Sequence, residues 1–91
     1  MAYSLDLHVG LRRAKWKVKI RDKEQQREEP HVTIIWRGTT TWRISLRTRQ
    51  FLDEPSGSTE IPAELLDHIT TPRNWRLLEA AWNDMYPTNR V

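Results

Sequence analysis

His31-Val32-Thr33-Ile34-Ile35-Trp36-Arg37-Gly38-Thr39-Thr40-Thr41-Trp42-Arg43-Ile44-Ser45-Leu46-Arg47 is the stretch on which the fold turns. It reads as two antiparallel strands joined by a tight loop. Side chains two apart share one face of a strand. Val32, Ile34 and Trp36 therefore group together, as do Trp42, Ile44 and Leu46. A three-residue loop over Gly38-Thr39-Thr40 sets Trp36 opposite Trp42, Ile34 opposite Ile44 and Val32 opposite Leu46. All six then lie on one side. A two-residue loop puts Ile34 opposite Arg43 and mixes the faces. Gly38 supplies the positive φ that a short hairpin loop needs. The opposite face carries His31, Thr33, Ile35, Arg37, Thr41, Arg43, Ser45 and Arg47, with Ile35 its one apolar member.

Outward from the hairpin, Lys15-Trp16-Lys17-Val18-Lys19-Ile20-Arg21 alternates without a break. Trp16, Val18 and Ile20 point inward, and four cations point outward. Only a strand produces that separation. Tyr3, Leu5, Leu7 and Val9 alternate with Ser4, Asp6 and His8, which predicts a further half-buried strand over 3–9, followed by a turn at Gly10–Arg13. The polar run 22–30 predicts a surface loop, with helix propensity over Lys23–Glu28. A turn at Thr48-Arg49 leads into a strand stub over Gln50–Leu52. The composition of Asp53–Glu60 is that of a loop.

The helical signals come last. Pro62 suits a first helical position, and Leu65, Leu66 and Ile69 give the segment 62–69 one apolar side. Thr71-Pro72 reads as a cap and a helix start. Trp75, Leu78, Trp82 and Met85 then recur at spacings of three, four and three, with Ala81 beside them, and predict a core-facing helix over 72–85. Pro87 ends it, and Thr88–Val91 is expected to fray. Strands before helices predict an α+β fold: an antiparallel sheet of three to five strands with two C-terminal helices packed on one face. The 91 residues form one domain, with a sheet-forming part 3–52, a loop 53–61 and a helical part 62–86.

Composition narrows the function classes. Hydrophobic content of 37% with five Trp is enough for a small core, and the absence of Cys removes disulfides and thiolate metal sites. No apolar run reaches the length of a membrane span, and there is no signal-peptide pattern, so the expectation is a cytoplasmic chain without a membrane partner. His8, His31 and His68 stand apart, so no metal or other cofactor is expected. Glycine-rich phosphate loops, a nucleophile elbow and paired-carboxylate motifs are all missing.

The candidate binding residues are Lys15, Lys17, Lys19, Arg21, His31, Arg37, Arg43 and Arg47. With the strand 15–21 in the same sheet, seven cations gather on one face, and nucleic-acid phosphate is the matching partner. The plain alternative is a solvated outer face, with the acidic stretches Asp22–Glu29 and Asp53–Glu60 folded over it. His31 beside Arg43 and Arg47 also has the makings of an acid–base group for RNA cleavage. The tryptophans fit core packing better than base stacking, because all five sit on apolar faces.

Pro30-His31-Val32, the glycine turn, Trp42-Arg43-Ile44-Ser45-Leu46-Arg47-Thr48-Arg49-Gln50-Phe51-Leu52, Ile61-Pro62, Leu65 and Trp75 resemble a family of small bacterial proteins of unknown function. Its members carry a Pro-His-x-His-Val strand, an Ile-x-Leu-x-Thr-Gly-x-x-Leu hairpin, a Leu-Pro step and a helix bearing Trp. The resemblance covers roughly residues 16–83. The family's second His is Thr33 here, and its turn glycine is Arg49. The resemblance implies a place in a toxin–antitoxin-like gene pair, and so a small protein partner or RNA; a protein partner covering the cationic face would be acidic. It carries over His31 as the matched polar position.

Overall fold

The computed structural model describes residues 3–21, 29–52 and 61–91. The readings of 22–28 and 53–60 as loops, including a helix over Lys23–Glu28, lie outside the described residues. The chain order is β1 (Tyr3–Ser4), α1 (Val9–Arg13), β2 (Trp16–Ile20), β3 (His31–Trp36), β4 (Thr40–Ser45), α2 (Ala63–Thr70) and α3 (Pro72–Met85). The strands form one sheet in the order β1-β2-β3-β4, antiparallel throughout. The result is an α+β fold of four strands and two C-terminal helices, as the strand-then-helix order predicts.

The apolar alternation places Val18 and Ile20 with Val32, Ile34, Ile44 and Leu46, all buried, and α2 and α3 cover them with Leu65, Ile69, Trp75, Leu78 and Trp82. The hairpin keeps the predicted faces but changes its partners. Trp36 pairs with Thr40, Ile34 with Trp42 and Val32 with Ile44. The loop is Arg37–Thr39, and the register is displaced by two residues from the expected one. A displacement of two preserves parity, so the same six apolar residues still face inward. Gly38 has φ +75° as expected, and Arg37 joins it in the left-handed region at φ +55°. Two successive residues of that kind are what a type I′ turn requires. Past β4 the chain turns again and Phe51 bridges Ile44, the predicted stub reduced to a single bridge.

The N-terminal segment departs further. Leu5 and Leu7 are buried and Ser4 and Asp6 exposed, as the alternation predicts. The ladder nevertheless stops after Ser4, with one further bond from the Leu5 N–H to the Val18 carbonyl. Residues 9–13 are helical instead of strand and turn. The His8 Nδ1 accepts the Gly10 N–H at 3.1 Å and caps that turn. Leu11 enters the core, while Val9 is left 53% exposed. Alternating exposure marks an extended chain, whether or not a neighbour pairs with it.

The two helices follow their sequence signals, α3 residue for residue. Pro62 lies one position before α2 rather than in it. Thr71 sits at the start of α3, but its hydroxyl donates to the His68 carbonyl at 3.0 Å instead of capping the helix. The last residues, expected to fray, are bonded back to α3, and the residue that ends the helix is held to the chain just past β2. Tyr86 is buried, stacks on Trp82 at 4.2 Å and donates its hydroxyl to the Arg21 carbonyl. The Trp82 indole donates to the Asn89 carbonyl at 2.7 Å, and the Val91 N–H to Asn83 Oδ1 at 2.7 Å. The Tyr86 and Trp82 bonds each satisfy a group that burial would otherwise penalise.

Glu29 organises the adjoining end of the sheet. Its carbonyl accepts the His31 Nδ1–H at 2.7 Å, and its carboxylate accepts from the buried Ser45 hydroxyl at 2.8 Å and from Arg47 at 3.3 Å. Arg47 also donates to the Arg90 carbonyl at 2.8 Å. The half-exposed ion pair itself adds little. The buried hydroxyl matters more.

Two substitutions check this packing by urea denaturation. Trp82→Ala is expected to cost about 3–5 kcal/mol, because it opens a cavity under α3. Glu29→Ala is expected to cost about 1–3 kcal/mol by leaving Ser45 without its acceptor. A loss below half a kcal/mol in either would contradict the assigned contact.

A cationic cleft beside the sheet edge

Sequence alone groups eight polar residues, and the fold distributes them among several places. Lys17, Lys19 and Arg43 share the outer sheet face, since Lys17 pairs with Ile35, Lys19 with Thr33, and Thr33 with Arg43. That face is not an open solvated surface along β3: Thr33 is 2% exposed and Ile35 8%. Arg47 is engaged by Glu29, Asn89 and Arg90. Arg21 lies past the end of β2, with its carbonyl held by Tyr86. His31 is not a surface residue. It is 1% exposed, with its ring 5.3 Å from that of Trp82. β3 lies between two other strands, and α3 closes over its first residue. An acid–base group must reach its substrate, and this imidazole is enclosed.

From that face Lys17 and Lys19 are brought together with Lys15 and Arg37. They line an open cleft of about 1130 Å³ with Arg12 and Arg13. Its walls are the segment Ser4–Leu7, the end of α1, strand β2 and the tip of the β3–β4 turn. Among the described residues Asp6 is its only carboxylate, so six cations stand there against one anion. Among the described residues, no carboxylate forms an ion pair with any of the six cationic side chains. Neighbours on one strand face, such as Lys17 and Lys19, stand about 6.7 Å apart. At that distance two like charges repel by about 0.6 kcal/mol in water. The sum over six is relieved when an anion enters.

Two left-handed corners build the upper end of the cleft. Lys15 has φ +73° and Arg37 φ +55°. The Arg37 N–H donates to the Lys15 carbonyl at 3.0 Å, and the Trp36 indole N–H to the Ala14 carbonyl at 3.1 Å. These bonds join the α1–β2 corner to the hairpin turn. Trp36 stacks on Trp16 at 5.6 Å and 20°, and Trp16 contacts Trp42 at 5.8 Å. The Arg37 guanidinium lies over the Trp36 ring at 4.5 Å, within cation–π range.

Arg12 and Arg13 escape a reading based on strand faces, because α1 carries them. The available signal is density: residues 12–21 hold six cations in ten positions. Among the described residues no cluster of His, Asp or Glu could hold a metal ion. No helix there is long and apolar enough to cross a membrane. Compared with known proteins, the chain matches no family model, no curated protein and no solved structure.

Proposed function

We propose that the chain is a binding module without catalytic activity of its own, and that its cleft takes the phosphate backbone of a nucleic acid. The observation that carries this reading is the convergence of Arg12, Arg13, Lys15, Lys17, Lys19 and Arg37 around one concavity, with Asp6 as the only acid among the described residues that line it. A groove of that sign attracts phosphates and releases their counterions. The cations come from α1, the corner after it, β2 and the hairpin turn. Their collection is therefore a property of the fold, beyond a polar strand face. Arg43, Arg47 and His31, though grouped with them in sequence, stand outside this reading.

A second reading follows from the family resemblance, in which an acidic partner protein covers the same cations. One feature favours it. Arg49, which stands where that family has its turn glycine, adopts φ +63°, the conformation glycine takes most readily.

Fluorescence anisotropy with single-stranded DNA and RNA at several salt concentrations separates the two. Binding that falls steeply with salt is expected. Lys17→Ala and Lys19→Ala should each weaken it and lower the slope of log K against log salt by about 0.7. Arg47→Ala should leave both unchanged. No binding at low salt would overturn the nucleic-acid reading in favour of the protein partner.

A further inference from the structure

Resting on the cleft reading, we propose that Arg37 is a stacking platform for an unpaired base, which makes the ligand a single-stranded nucleic acid. Trp42, Trp16 and Trp36 form a run of contacting indoles that leads from the core to the surface. Trp36 meets both Trp16, at 5.6 Å, and the Arg37 guanidinium, at 4.5 Å. Arg37 is exposed and borders the cleft. A guanidinium is planar, and bases stack on such planes in single-stranded recognition. An unpaired base laid on Arg37 continues the series by one more layer, and its backbone then runs toward Lys17 and Lys19. Paired bases inside a duplex cannot reach this position without leaving their own stack.

The side chain is held for that task from below. Its backbone is held by the bond to Lys15 and by the left-handed turn, and its guanidinium rests over Trp36. Lysine at this position would keep the charge and lose the plane.

Fluorescein-labelled oligothymidylate of about a dozen nucleotides, compared with an abasic strand of equal phosphate number, tests the platform. The wild-type protein should hold the oligothymidylate at least about fivefold tighter. Arg37→Lys, melting at an unchanged temperature, should hold both strands alike, with its affinity for the abasic strand within about twofold of wild type. Equal binding of the two strands by the wild-type protein would overturn the platform and leave the phosphate cleft standing. So would a preference that survives Arg37→Lys. If neither strand binds, the cleft reading falls and takes the platform with it.

Discussion

The pairing of β3 on both edges is the constraint from which the rest follows. Ile34 is flanked by Val18 on one strand and Trp42 on the other, and Val32 pairs with Ile44. Because side chains repeat every two residues, fixing one inward residue fixes them all. The inward set makes the surface that α2 and α3 cover. The outward set directs Lys17 and Lys19 away from the helices. Core and charge are therefore separated by one geometric rule, and the cleft adds to Lys17 and Lys19 the cations that lie before the first residue of β2 and after the last of β3.

Parity was legible in the sequence, and register was not. Trp36 opposite Trp42 and Ile34 opposite Trp42 bury the same residues, so hydrophobic pattern alone cannot choose between them. The choice fell to the turn. Arg37 accepts a left-handed conformation beside Gly38, and its N–H reaches the Lys15 carbonyl. An arginine carries no signal of positive φ, and neither does Lys15. The α3 stripe was easier to read: Trp75, Leu78 and Trp82 can share a face only in a helix, and Pro72 marks its start.

The candidate site was legible in part for the same reason. Lys15, Lys17, Lys19 and Arg37 could be named from alternation and proximity to the hairpin. Arg12 and Arg13 could not, since the strand pattern of residues 3–9 hides the helix that His8 caps. Arg47 and His31 looked open to a ligand by parity, yet contacts distant in sequence engage the exposed Arg47 and enclose His31. Glu29 and Arg90 hold the one, and Trp82 lies against the other. Periodicity reports on neighbours within an element and says nothing of what folds back from the far end of the chain.

Those returning contacts have a consequence for how the molecule comes together. The Tyr86 hydroxyl meets the Arg21 carbonyl across 65 positions, and the His68 ring donates to the Asp6 carbonyl across 62. Closing loops of that span costs chain entropy before any contact rewards it. The sheet lacks its cover until the helices arrive, and the helices lack a surface to rest on without the sheet. Neither half is a folding unit of its own, so the chain should assemble in one concerted step despite a sequence that sorts so cleanly into strands first and helices last.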